Sequence, residues 1–374
     1  MEQFIQKKAV CAGVRLPDTE ENMFDSSMSE LEELAETAGF IIAGKEIQNR
    51  TEPDSAFFIG KGKLSEIAEK YRDSADTIIF NHDISPSQIR NIERETGMSA
   101  LTRTEIILGI FALHARSRAA KLQVEMARLV YQMPRIIGKG IEMSRIEGGI
   151  GMKGPGEQQL ELDRRKIRYR IGLIKKELEK VARERENQRK RRSGTDMKIA
   201  IVGYTNSGKS TLLNRLTREK AEARNQLFVT LETTTRKMWL GGRYYSLLTD
   251  TVGFIRDIPH DLVESFKSTF EDSLMSDLIL HIVDISAPDF RNKMAVTEQT
   301  LREIRPDLPA VITVFNKSEM LTPEVLNRLK TGFPDSVFIS AKTGLNIDAL
   351  MDKLRTHFGI ILDYQESGGG KDLN

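Results

Sequence analysis

The residues best suited to chemistry are gathered in GYTNSGKS, Gly203 to Ser210, which follows the apolar run KIAIV and opens into TLLNRLTRE. Two glycines at this spacing let main-chain N–H groups wrap a row of phosphates. A lysine after the second reaches the terminal oxygens, and the next hydroxyl can face Mg²⁺. Gly203 and Gly208 take the first role, Lys209 the second and Ser210 the third. Tyr204, Thr205, Asn206, Ser207 and Thr211 complete the loop. Further on, YSLLTD ends in DTVG. There Asp250 is placed to hold Mg²⁺ through a water and the Gly253 N–H to sense the last phosphate, with Thr251 and Val252 between them. The polar stretch NQLFVTLETTTRKM separates the two motifs. A threonine in it can close over the metal only while the γ-phosphate is present, which makes an order–disorder switch. Thr230 is favoured for this, ahead of Thr233, Thr234 and Thr235. Lys209, Thr230 and Gly253 are therefore the expected catalytic set, and Ser210, Thr230 and Asp250 the expected metal set.

Two later motifs select guanine over adenine. NKSE supplies Asn316 to face the base edge, Lys317 to lie along the base and Glu319 to accept from the guanine N1 and N2 hydrogens. SAK adds Ser340, Ala341 and Lys342. The carboxylate in such motifs is usually an aspartate. The extra methylene of Glu319 predicts weaker guanine affinity with specificity retained. One residue departs from a self-sufficient hydrolase. Phe254 stands where a water-orienting glutamine is often found, and a phenyl ring neither holds a water nor accepts its proton.

These motifs need a scaffold. KIAIVGY, YSLLTD, LILHIVDI, AVITVFNK and SVFISAK are five apolar strands separated by helix-length segments, with motifs at their C-terminal ends. This is the pattern of a doubly wound P-loop domain over 197–358. Upstream, AVCAGVRL, GFIIAGKEI and DTIIFNHDI alternate with the helix-like SMSELEELAETAG and SPSQIRNIERETG, a small parallel α/β unit over 1–103. FFIGKGKLSEI is a Gly-Lys loop entering a helix. Such a loop can meet a phosphate, though two glycines alone favour a plain turn.

Between these regions, 104–193 reads as an antiparallel helical hairpin. A helix from Thr104 to Met133, stopped by Pro134, carries Ala115, Ala119, Leu122, Met126, Leu129 and Met133 on one stripe. Leu160, Ile167, Ile171, Ile174, Leu178 and Val181 form the facing stripe. Its tip, GGIGMKGPGE, packs five glycines and a proline into ten residues around Lys153. From Asp163 to Arg192, fourteen Lys or Arg face five Asp or Glu, a local +9 in a chain whose net charge is +2. That asymmetry points to a polyanion. Gly148, Gly149, Gly151, Lys153, Gly154 and Gly156, with Arg164, Arg165 and Lys166, are the candidate RNA contacts.

A hydrophobic content of 39% and a charged content of 29% describe an ordinary globular chain. No apolar run reaches the roughly 20 residues of a bilayer span. The single Cys11 has no internal disulfide partner and reads as a small core residue, so a cytoplasmic location is expected. Residues 359–374 read as a short disordered tail.

Taken together, the G motifs, FFIGKGK, SPSQIRNIE, KLQVEMARLVYQMPR, GGIGMKGPGE and QLELDRRKIRYRI resemble the HflX family of ribosome-associated GTPases from about Met28 to Phe358. The glycine-rich loop between MPR and LDRRKIR narrows the choice to that family. The resemblance implies an α/β-plus-hairpin domain joined to a translation-factor-type G domain. It also implies Mg²⁺ as cofactor, GTP as substrate, and binding to the large ribosomal subunit and its RNA, with the glycine tip near the peptidyl transferase centre. Ribosome splitting follows, with hydrolysis stimulated by the ribosome, which would complete the site that Phe254 leaves incomplete. A water positioned by another residue of the chain is the alternative. Many members continue into a further C-terminal domain, whereas this chain stops soon after the G domain. A monomer is expected. A nucleotide-gated adaptor and an RNA-remodelling factor are the competing readings.

Overall fold

The computed structural model describes residues 7–147, 155–191, 197–217, 227–228, 233–257 and 275–360. In its two longest helices side chains are described as far as Pro134 and again from Glu161 to Glu184. The chain divides into two compact units. The first is Met1–Ser193 with Arg224–Glu232 and Ile255–Phe270; the second is Gly194–Ala223, Thr233–Phe254 and Glu271–Asn374.

The first unit is built on strands β1 (Lys8–Arg15), β2 (Ile41–Asn49), β3 (Thr77–Phe80) and β4 (Ser99–Thr102). They form a parallel sheet in the order β2-β1-β3-β4. Helices α1 (Glu21–Thr37), α2 (Lys61–Lys70) and α3 (Pro86–Thr96) make the crossovers. Central β1 is buried from Ala9 to Val14, as a parallel strand covered on both faces must be. Cys11 lies wholly inside, and burial pushes its thiol up to about 12, so it is a core residue and no nucleophile. Ser85 and Gln88 form a reciprocal capping box at the start of α3, and Gly97 closes its end in the left-handed conformation.

The start of α1 departs from expectation. The helix begins at Glu21, and Ser27 is not its cap but a buried residue hydrogen-bonded to Asn81. The four-residue β4 is an additional strand, too short to show a period.

The expected long helix from Thr104 is two helices, α4 (Arg103–His114) and α5 (Arg118–Glu147). Ala115 is extended, and the Ser117 hydroxyl accepts from the Ala120 N–H to start α5. Nor does Pro134 end the helix, which continues to Glu147 with the proline inside. A proline forfeits one hydrogen bond and crowds the preceding turn, at about 3 kcal/mol, but does not forbid helix. The facing helix α6 spans Pro155–Arg191. Leu122, Met126 and Ile174 are the buried centre of the hairpin seam, flanked by Leu129, Val130, Ile171 and Leu178. Arg118 pairs with Glu177 at 2.7 Å and Arg170 with Glu125 at 2.7 Å, a register that is antiparallel.

The second unit holds a six-stranded sheet in the order β10-β9-β8-β5-β7-β6. Its strands are β5 (Met197–Gly203), β6 (Thr234–Gly241), β7 (Tyr244–Asp250), β8 (Leu278–Asp284), β9 (Ala310–Asn316) and β10 (Val337–Phe338). The described helices are α7 (Lys209–Thr217), α8 (Phe290–Ile304), α9 (Pro323–Gly332) and α10 (Ile347–His357). All pairings are parallel except β6 with β7. Strand β6 arises from a segment expected to be linker. Ile199, Ile201, Leu280, Ile282 and Val314 of the sheet close a core with Leu212 and Leu213 of α7 and Leu350 and Leu354 of α10. The strand order reverses at β5, so a crevice opens at its C-terminal end, where the glycine loop begins. No helix among the described residues is long and apolar enough to cross a membrane.

Candidate nucleotide site

The loop from Gly203 to Gly208 is fixed by its two glycines. Gly203 has φ 155°, and a Cβ there would lie 2.2 Å from the Ile282 carbonyl oxygen. Gly208 has φ 93°, and its Cβ would lie 2.2 Å from the Asn316 side-chain nitrogen. Only glycine fits either place. Asn206 between them adopts φ 59°, which turns the chain back toward α7.

Lys209 is buried, and its Nζ donates to the Tyr204 carbonyl at 2.8 Å. Burial pushes its ammonium down to about 8, against the pull of Asp250. The Thr205 and Ser207 hydroxyls are also buried and have no hydrogen-bond partner among the described residues. Buried donors of this kind are costly unless a ligand satisfies them, and an anion does so. Ser210 donates to Asp250 at 2.6 Å, so the hydroxyl and the carboxylate of the expected metal set meet. That hard oxygen pair suits Mg²⁺, which takes few protein ligands and keeps waters and phosphate oxygens. A metal held there by Ser210 and Asp250 would supply positive charge to bound phosphate.

Gly253 lies where a Cβ would meet Lys209 Nζ and the Thr205 methyl, each at 2.9 Å. This is the close approach a phosphate sensor needs. Thr251 anchors the segment by donating to the Ile201 carbonyl at 2.8 Å, and Val252 is buried beneath it. Phe254 is strapped to the loop by main chain: Thr205 N–H donates to the Phe254 carbonyl at 2.7 Å and Phe254 N–H to the Gly203 carbonyl at 3.1 Å. Its ring is 1% exposed, so the position faces packing and not a water. The next residues belong to the first unit, where Arg256 Nε lies 3.3 Å from buried Glu30, itself paired with Arg103 at 2.5 Å. Phe228, from the threonine-rich stretch, meets Phe111 edge-on at 4.8 Å in the same unit. Thr230 lies outside the described residues. Thr234 and Thr235 are strand residues of β6, and Thr235 pairs with Thr249.

The base-reading motifs meet at the ends of β9 and β10. Asn316 uses both ends of its amide inside the protein, donating to the Ser207 carbonyl at 2.8 Å and accepting from the Ala341 N–H at 2.9 Å. It thereby ties the phosphate loop to the SAK loop. Lys317 sits at φ 64° with its Nζ 2.7 Å from Asp284. Ser340 accepts from the Thr343 N–H, and Arg215 of α7 donates to the carbonyls of Ala341 and Lys342. Glu319 is exposed in the short turn Ser318–Met320, and Thr211 lies in the first turn of α7.

Sequence reasoning passed over three contributors. Asp284 steers Lys317, Arg215 holds the SAK loop, and His281 on β8 lies near Lys209. Burial, then the Lys209 charge, holds the His281 imidazole down to about 4, so it is neutral. The signal for Asp284 was its place at a strand end; the other two carried none. Of the expected RNA contacts, Arg164 and Lys166 lean on acids one turn back, at 3.6 and 3.4 Å, and Arg165 is exposed. Gly156 lies in the first turn of α6; Gly148, Gly149, Gly151, Lys153 and Gly154 lie outside the described residues.

A doubly wound sheet with this glycine-lysine loop, and with the DTVG, NKSE and SAK motifs at its strand ends, defines a P-loop GTPase. Three family models cover most of the chain: a GTP-binding GTPase N-terminal region over 25–112, a GTP-binding GTPase middle region over 114–192, and a 50S ribosome-binding GTPase over 198–317. The chain is 44% identical over 373 residues to the GTPase HflX of Lacrimispora saccharolytica, covering 97% of this chain and 88% of that one. It is 39% identical to the GTPase HflX of Escherichia coli, over 87% and 78% of the two chains. A crystal structure of SsGBP in complex with GDP is similar at 25% identity and a TM-score of 0.52, covering 94% of this chain and 98% of that one. The chain belongs to the HflX family of GTPases, and it hydrolyses GTP.

Proposed function

We propose that this GTPase, with Mg²⁺ held by Ser210, Asp250 and Thr230, binds the large ribosomal subunit through its RNA and dissociates ribosomes, the ribosome stimulating hydrolysis. Phe254 carries the reading. The nucleotide site has its cradle, its lysine and its sensor, but the position that should orient water is a buried ring strapped by main chain to the loop. Such a site binds better than it hydrolyses until a partner adds or orders a group. The basic hairpin suits the RNA of that partner, and ribosome binding is named for the family model that its G domain matches. In this reading Lys209 neutralises the terminal phosphates. The Gly253 N–H and the Thr230 hydroxyl report the γ-phosphate, GTP binding sets the hairpin for insertion, and hydrolysis releases the protein. Asn316, Lys317 and Glu319 select guanine. The protein acts in the cytoplasm as a monomer, with Gly148 to Gly156 and Arg164 to Lys166 on ribosomal RNA.

The test is GTP turnover alone, with purified large subunits, and with small subunits as control. Strong stimulation by large subunits alone is expected. Appreciable turnover by the protein alone, unchanged by either subunit, overturns the reading and returns the water to a residue of the chain.

A further inference from the structure

Beyond its ends at Thr234 and Asp250, the β6–β7 hairpin carries a surface of unusual chemistry. One of its faces is core: Met238, Leu240 and Leu248 pack under α7 and α10, and Arg236 reaches Asn214 of α7 at 2.9 Å. Alternation then sends Thr235, Lys237 and Trp239 to the opposite face, across from Thr249, Leu247 and Tyr245. Trp239, the only tryptophan of the chain, is 49% exposed, and Tyr245 directly opposite is 42% exposed. The Trp239 indole N–H donates to the Gly242 carbonyl at 2.9 Å, so its polar edge is satisfied within the hairpin and the ring is held in place. On the open face Lys237 Nζ lies 4.3 Å over the Tyr245 ring, while Arg243 of the turn lies 5.6 Å from the centre of the Tyr244 ring, which packs toward the core. Of the three cations from Thr234 to Thr249, Arg236 belongs to the core face, Lys237 to the open face and Arg243 to the turn, and the stretch holds no carboxylate.

We propose that this open face is a stacking platform for single-stranded RNA. A pre-set aromatic pair with a satisfied polar edge meets a base face at little ordering cost, and the lysine beside it, with the arginine of the turn, meets phosphates. Only unpaired bases present their faces, so a duplex is the wrong ligand. A protein partner would match the rings, but the uniform positive charge at an edge strand resists strand addition. A polyanion carrying its own π-faces satisfies both features at once. The platform lies wholly in the second unit, whereas the basic hairpin of the proposed function lies in the first. It therefore goes beyond that reading.

The sole tryptophan supplies a local readout. Full-length GDP-loaded protein is titrated with oligo(A) of about 12 nucleotides, a length within reach of one such surface, and with an RNA duplex of equal length, at low and at high salt. Trp239 emission is expected to be quenched by the single strand, little by the duplex, and less as salt rises. Tyr245→Ala should weaken the response about tenfold, and Lys237→Ala less. Both should leave turnover without RNA unchanged, because neither residue touches the nucleotide site. Emission indifferent to the single strand overturns the proposal, as does a Tyr245→Ala variant that responds like the parent. Emission that answers RNA-free ribosomal proteins but not RNA overturns it in favour of a protein partner. In the double variant Arg165→Glu, Lys166→Glu the quenching should persist. Its loss there would mean that RNA on the helical hairpin was the source, while unstimulated turnover with large subunits tests the proposed function separately.

Discussion

Each unit has a glycine–lysine loop running into a helix N-terminus in a parallel α/β sheet, and the two loops have opposite fates. Before α2, the Gly60 N–H already donates to the Gln48 side chain at 2.7 Å. Lys63 is held by Glu46 at 2.6 Å and Glu66 at 2.8 Å, and Lys61 by Glu95 at 3.3 Å. Burial alone would raise the Glu46 pKa, but hydrogen bonds from Lys63, Lys70 and Tyr71 bring it down to about 2. Before α7, Lys209 has a main-chain carbonyl for a partner, and the Thr205 and Ser207 hydroxyls have none among the described residues. Glycine and lysine are common to both loops. What distinguishes the second loop is that two of its hydroxyls are buried without a partner among the described residues, a cost that a bound anion would offset.

The comparison can be broken most directly at the two lysines. Lys209→Ala should reduce GTP affinity by about 100-fold or more, since it removes a charge from a desolvated phosphate site. Lys63→Ala should leave affinity unchanged and cost about 1–2 kcal/mol of stability. Fluorescent-nucleotide binding and urea unfolding separate the two effects, and a nucleotide defect in Lys63→Ala would remove the distinction. Phe254→Gln tests the second loop from its far side. Because the position is packed and not wet, the substitution should lose about 3 kcal/mol of stability and bring no rise in unstimulated turnover. A faster variant would show that the side chain can reach the water.

Acid should sharpen the contrast. His281 titrates near 6.5 when unfolded and near 4 when folded. The stability it supports is complete above 6.5 and falls as pH drops toward 4, by on the order of 3 kcal/mol. Glu46, with its folded value near 2 against 4.5, supports the first unit until pH falls below about 4.5. Urea unfolding between pH 7 and pH 5 should therefore weaken the second unit first, and His281→Leu should flatten that loss. The smallest effect is expected at the base-reading corner. Glu319→Asp should tighten GTP binding a few-fold, roughly 0.5–1 kcal/mol, without admitting ATP. Displacement of labelled GTP by either nucleotide measures it, and equal competition by ATP would refute the assignment of Glu319.

What the sequence determined by itself is the chemistry that depends on near neighbours. The spacing from Gly203 to Ser210, that from Asp250 to Gly253 and the hairpin seam of Leu122, Met126, Ile171 and Ile174 are set by the reach of a few bonds or the pitch of one helix. The helix within SPSQIRNIERETG, opened by Ser85 and closed by Gly97, is legible for the same reason. What only the tertiary structure decided depends on partners far along the chain. The threonine-rich segment becomes strand β6 because β7 pairs with it, and Pro134 stays inside α5 despite its local cost. Asn316 turns both ends of its amide to Ser207 and Ala341, while Asp284, Arg215 and His281 join the site through crossings between strands and helices. A local pattern constrains a short stretch of backbone, whereas the satisfaction of a buried donor or charge is settled only when the elements meet. That is why one Gly-Lys loop of this protein is filled by its own carboxylates and the other is left to a nucleotide.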